Sequence, residues 1–62
     1  MDAPGLLDLL DEREAANALS LAVSTLRNWR SRGIGPKYIK LGARAVRYRR
    51  ADLEKYVVEG IV

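Results

Sequence analysis

Apolar positions recur along this chain with two different periods, and each change of period marks a change of element. The first residues carry Pro4 and Gly5, then Leu6, Leu7, Leu9 and Leu10. Gly5 argues against a long helix here, because glycine surrenders the most backbone freedom on ordering. We expect a flexible start over about residues 1–5, then a short apolar stretch that packs onto the core. Self-association is the alternative use of these leucines. Asp11 reads as a helix N-cap, with Glu14 at the reciprocal spacing of a capping box. Leu10 is placed to staple against Ala15. Ala15, Ala16 and Leu19 recur at helical spacing and predict a helix over about 12–19.

Ser20, Leu21 and Ala22 break the period, and Leu21 is placed to plug a corner. A second helix follows from Val23 to Arg32, with Leu26 and Trp29 inward. Gly33 falls where a helix end often needs positive φ. Two short helices joined by a tight turn are the outline of a helix-turn-helix. Gly35-Pro36 ends helical structure. The period then becomes two, in Tyr38 to Leu41 and again in Ala45 to Arg49, with Gly42, Ala43 and Arg44 between. That predicts a hairpin with Ile39, Leu41, Val46 and Tyr48 inward, Lys40, Arg47 and Arg49 outward, and Arg44 at the tip. A two-stranded hairpin is marginal alone and must pack on the helices. Leu53, Tyr56 and Val57 share a face of a third helix over about 50–59, which Gly60 ends and Asp52 opens. The expected fold is α+β, mainly helical, with three helices and a two-stranded hairpin between the second and third.

Length and composition narrow the function. Sixty-two residues make a single domain, 1–62, with a thin core and no room for a deep cleft. Neither His nor Cys is present, which removes imidazole bases, thiolate nucleophiles and the usual zinc ligands. Asp11, Glu12 and Glu14 could be imagined around a metal; helix capping and dipole compensation explain them better. No paired-carboxylate cleft or phosphate-cradling glycine loop can be proposed. We expect no enzyme, no catalytic residue, no metal, no cofactor and no small-molecule ligand. No signal peptide or bilayer-length apolar run appears, so a cytoplasmic protein without a membrane partner is expected.

Charge adds a partner. Eleven Lys/Arg against eight Asp/Glu give a net charge of only +3, but the signs are segregated. No acid lies between Ala16 and Ala51, a stretch holding nine bases. An acid-free basic middle is the footprint of a polyanion such as nucleic acid; a solvated face is the plain alternative.

The run Asp11-Glu12-Arg13-Glu14-Ala15-Ala16, then Leu19, then Ser24-Thr25-Leu26-Arg27-Asn28-Trp29, resembles the opening of the excisionase-like DNA-binding domains. Gly35 to Gly42, then Val46 to Tyr56, is similar to their wing and following helix. The family is a compact winged helix-turn-helix related to the DNA-binding domain of MerR-type regulators. It includes phage excisionases, which are recombination directionality factors, and AlpA-like transcriptional regulators. The resemblance implies a recognition helix in the major groove and a wing toward the minor groove or backbone. It also implies several copies on adjacent sites, DNA bending and contact with a tyrosine integrase. The family usually has Gly, an apolar residue and Ser at the turn, where this chain has Ser20, Leu21 and Ala22. Ala22 has no side-chain oxygen to cap the second helix, a loss of roughly 1 kcal/mol relative to Ser. That leaves the start of this helix, and the register of its DNA face, open.

On the second helix the face opposite Leu26 and Trp29 carries Val23, Ser24, Arg27, Asn28 and Ser31. The N-terminal part of such a helix meets base edges. Arg27 suits guanine O6/N7, Asn28 adenine N6/N7, Val23 a thymine methyl, and Ser24 a phosphate or base. Arg30 and Arg32 suit phosphates, unless the Arg30 stem covers apolar surface. On the wing, Arg44 and Arg47 suit a narrow minor groove, and Lys40 and Arg49 suit phosphates. The reading is duplex DNA binding by an excisionase that bends attachment-site DNA, alongside further copies of itself and a tyrosine integrase. So short a chain favours the excisionase over an AlpA-like transcriptional regulator, which shares every residue argument. A basic module for an acidic protein is the reading from another class.

Overall fold

Asp11 opens the first helix as its spacing predicts. Its side chain accepts from the Glu14 backbone N–H at 2.8 Å, while Glu14 Oε1 accepts from the Asp11 N–H at 2.9 Å. Two backbone donors at the helix start are thereby satisfied. The computed structural model describes residues 8–61. The expected flexible start and the expectations for Leu6 and Leu7 lie outside the described residues.

In chain order the elements are β1 (Leu9–Asp11), α1 (Glu12–Ala18), α2 (Val23–Arg32), β2 (Ile39–Leu41), β3 (Ala45–Arg49) and α3 (Arg50–Glu59). The three helices and the hairpin fall where the sequence predicts them, and the fold is a winged helix-turn-helix. The α1–α2 turn carries the two departures from the family. Ser20 adopts φ 58, a left-handed conformation that a glycine would occupy without strain. Ala22 is the N-cap of α2, with the extended backbone of a cap and no side-chain hydrogen bond. Helix α2 therefore starts at Val23, without a side-chain cap. Its other end is regular: Gly33 sits at φ 71, and the Ile34 N–H reaches back to the Trp29 carbonyl at 2.9 Å.

One element was not foreseen. Leu9–Asp11 is a strand, antiparallel to β3 with Leu10 opposite Tyr48. The sheet therefore has three strands in the order β1-β3-β2. Three residues are too few to show a period of two, so Leu9 and Leu10 read only as an apolar stretch. The expected packing is nevertheless present, since Leu10 is buried.

The hairpin differs in the face that β2 turns inward. Its three-residue loop pairs Leu41 with Ala45, Lys40 with Val46 and Ile39 with Arg47. Paired residues share a face of the sheet. Lys40 thus shares a face with Val46 and Tyr48, while Ile39 and Leu41 lie on the other. Leu41, expected inward, is 47% exposed, and Ile39 is half-buried. A slip of one residue reverses every side chain of a strand. Nothing in the alternation of β2 alone fixes which of its two faces the loop will turn inward.

The core is small: Leu10, Ala15, Ala16, Leu26, Tyr48 and Leu53, with Leu19, Leu21, Val23, Trp29 and Val46 against it. Two alanines on α1 bring that helix close to its neighbours, and the full burial of Leu26 ties α2 to it. Burying each of the core leucines contributes about 2 kcal/mol. Gly35, after α2, has φ 92, and a Cβ there would lie 2.7 Å from Trp29 Cε3. The loop to β2 therefore crosses directly over the Trp29 ring, whose other neighbour is Tyr56 at 5.9 Å between centroids.

Candidate nucleic-acid interface

A groove runs between α2 and the hairpin. Arg27, Arg30 and Ser31 line it from one side, and Lys40, Arg44 and Arg47 from the other. The reversed face of β2 accounts for the place of Lys40, which would otherwise point away from the helices. Asp11, Glu12 and Arg13 also reach this groove from the start of α1. Cations outnumber carboxylates along its walls, so it presents a positive surface to an extended polyanion.

The predicted DNA-facing residues divide into distinct groups. Ser24, Arg27 and Asn28 are exposed on α2, as the predicted face requires. Arg44 is exposed in the wing loop, and Lys40 is exposed on β2. Neither has an ion-pair partner among the described residues. Arg47 is half-buried, and its Nη1 donates to its own Val46 carbonyl at 2.8 Å, which curls the guanidinium around the strand.

Three of the predicted residues are placed otherwise than expected. Val23 is half-buried and packs against the core cluster. Arg30 is turned inward, with its side chain only 17% exposed. Its Nη1 donates to the Tyr48 hydroxyl and its Nη2 to Glu12, each at 3.0 Å, and its guanidinium lies 5.8 Å over the Tyr38 ring. Burial works against this charge, and the bonds to Tyr48 and Glu12 outweigh it. Arg30 thus holds the fold together. Arg49 stands at the far end of β3 from the wing loop, as the N-cap residue of α3. Its guanidinium grips Asp52 at 2.7 and 2.9 Å. That bond holds the Asp52 carboxyl below its ordinary range, against a smaller opposing effect of burial.

Glu12 is the groove residue whose partners the sequence concealed. Its carboxylate accepts from Arg27 Nε at 3.2 Å to each oxygen and from Arg27 Nη2 at 2.6 Å. The Arg27 bond is the chief reason its carboxyl lies below the ordinary range, with burial opposing and Arg30 assisting. As the first residue of α1, Glu12 is fully accounted for by the helix dipole, and nothing local to it points to α2. The carboxylates once weighed as a metal site are otherwise engaged: Asp11 and Glu14 in the capping box, Glu12 with the arginines.

A short helix pair, with exposed polar and basic residues on the second helix beside a basic hairpin, defines a winged helix-turn-helix of the nucleic-acid-binding class. Residues 9–59 match a family model described as a helix-turn-helix domain. The chain belongs to that family, the excisionase- and AlpA-like small DNA-binding proteins, and its domain binds DNA sequence-specifically. A search of curated proteins returns no match. Among the described residues no helix is long and apolar enough to cross a membrane.

Proposed function

We propose that this protein is an excisionase: it binds and bends attachment-site DNA, in several adjacent copies, and assists a tyrosine integrase in excision. It acts by binding alone, without a covalent step, a metal or a cofactor. The observation that carries the DNA-binding part is the basic groove between α2 and the hairpin, in a chain of this family. The exposed face of α2 enters the major groove, with Arg27 on a guanine, Asn28 on an adenine and Ser24 on a phosphate or base edge. Arg44 reaches the minor groove from the wing, and Lys40 and Arg47 meet phosphates. So few base-reading side chains give modest specificity to one copy, which suits an accessory factor loaded beside others.

The experiment is fluorescence anisotropy on a duplex from the protein's genomic neighbourhood and on a scrambled duplex, across a salt series. Stepwise, preferential binding is expected. With about six phosphates neutralised, log affinity falls with log salt at a slope of roughly −5. Arg44→Ala lowers that slope by about one and leaves base preference unchanged. An integrase assay then reads the direction of recombination. Duplex binding without any effect on direction would replace the excisionase with an AlpA-like regulator, to be tested on a promoter. No duplex binding near physiological salt, alone or with integrase, would turn the reading to an acidic protein partner.

A further inference from the structure

We infer that Glu12 is a specificity-determining positioning residue: it grips one edge of the Arg27 guanidinium and thereby presents the other edge to a guanine. The inference rests on the DNA-binding reading above. An arginine has five N–H donors in a rigid fork. Glu12 occupies the side formed by Nε and Nη2, at 2.6 to 3.2 Å. Left over are both hydrogens of Nη1 and the second hydrogen of Nη2. One hydrogen of Nη1 and the second of Nη2 form the end of the fork, which matches guanine O6 and N7. Nη1 makes no hydrogen bond among the described residues, and the Arg27 side chain is 63% exposed.

Glu12 is itself braced from the core. Arg30 donates to its Oε1 at 3.0 Å and is in turn fixed by the Tyr48 hydroxyl at 3.0 Å. Tyr48 is 1% exposed. A continuous line of bonds thus runs from a buried tyrosine through Arg30 and Glu12 to Arg27 on the surface. An unbraced arginine gives up rotamer freedom when it docks, whereas Arg27 gives up much of it on folding. The arrangement has a cost. A carboxylate among the phosphate-facing cations repels any duplex, so Glu12 exchanges general affinity for discrimination. Arg27 keeps the Glu12 carboxyl below its ordinary range, so both effects operate at neutral pH.

The test is selection from duplexes with a randomised centre, followed by affinities for the selected site and its single-base variants. Wild type, Glu12→Gln, Glu12→Asp, Arg27→Ala and the Glu12→Gln/Arg27→Ala double variant are compared, each first checked for a cooperative thermal melt. Wild type should select a guanine at one position that Arg27→Ala no longer prefers. Glu12→Gln should bind unrelated duplex about five-fold tighter, through loss of one nearby negative charge. It should also lose about ten-fold in preference for that guanine. Glu12→Asp keeps the charge but withdraws it by one methylene. It should lose the preference without gaining general affinity, a separation that a merely structural role would not produce. In the Arg27→Ala background, Glu12→Gln should alter general affinity alone. If Arg27→Ala abolishes the preference and both Glu12 variants retain it, positioning is overturned and DNA binding stands. Retention of the preference in Arg27→Ala also overturns it, since Arg27 would then read no base. If wild type captures no duplex from the library, this inference and the DNA reading fall together.

Discussion

The α1–α2 turn can be repaired at two positions, with a gain in stability that follows from its backbone. Ala22 already has the N-cap conformation, φ −76 and ψ 148, and its carbonyl accepts the first helical bonds from Thr25 and Leu26. A serine there needs no backbone movement to offer its hydroxyl to the first turn of α2. Ala22→Ser should contribute about 1 kcal/mol. Ser20 holds φ 58, and Ser20→Gly removes a left-handed strain of roughly 1–2 kcal/mol. Glycine loosens the unfolded chain in return, at about 0.5–1 kcal/mol, which leaves a net gain of about 0.5 kcal/mol. The two together stabilise by about 1.5 kcal/mol. At about 2.1 cal/mol/K per residue, 62 residues have an unfolding entropy of about 130 cal/mol/K, so each kcal/mol moves Tm by about 8 °C. The double variant should therefore melt about 12 °C above wild type when followed by circular dichroism without DNA. An unchanged or lowered Tm for Ala22→Ser would refute the assignment of Ala22 as an unfilled cap. The same result for Ser20→Gly alone would refute the strain at the turn.

Three further outcomes are expected. Gly35→Ala drives a Cβ into the Trp29 ring at a positive φ and should destabilise by about 2–3 kcal/mol, with altered tryptophan fluorescence in the folded state. Arg30→Met leaves Tyr48 and Glu12 without their shared donor and should cost about 2 kcal/mol in urea denaturation; a neutral result would remove Arg30 from the fold's support. Glu12 and Asp52 titrate below their ordinary values of 4.5 and 3.8 in the folded protein, so the unfolded chain binds more protons on acidification. Their contribution is complete above those ordinary values and is lost as pH falls through the depressed ones. Urea midpoints should fall with acid more steeply for wild type than for Asp52→Asn.

Where the chain's local pattern and its tertiary environment agree, the fold is legible in the sequence. The capping box at Asp11 and Glu14, the end of α2 and the positive φ of Gly33 all follow from residues within one turn of each other. Strand β1 is not legible, because Leu9, Leu10 and Asp11 become a strand only through pairing with Tyr48 and its neighbours far along the chain. The inward face of β2 escapes for a related reason: a period of two is satisfied by either face, and loop geometry chooses. The same division runs through the candidate site. Exposure of Ser24, Arg27 and Asn28 follows from helical spacing around Leu26 and Trp29. The inward turn of Arg30 depends on Tyr38, Tyr48 and Glu12, which only the folded chain brings to it. Glu12 lies outside the acid-free stretch by sequence and inside the basic groove in space.

The central place of β3 has a consequence for the order of synthesis. The helix-turn-helix leaves the ribosome before β3, the strand that pairs with β1, since Leu9 waits for Arg49 and Asp11 for Arg47. Until β3 emerges, α1 and α2 lack the Tyr48 side chain that fills the centre of their shared core. Helix α2 is therefore held in place only after translation has passed Arg49, and a nascent chain stalled within the wing presents α2 without the sheet that orients it.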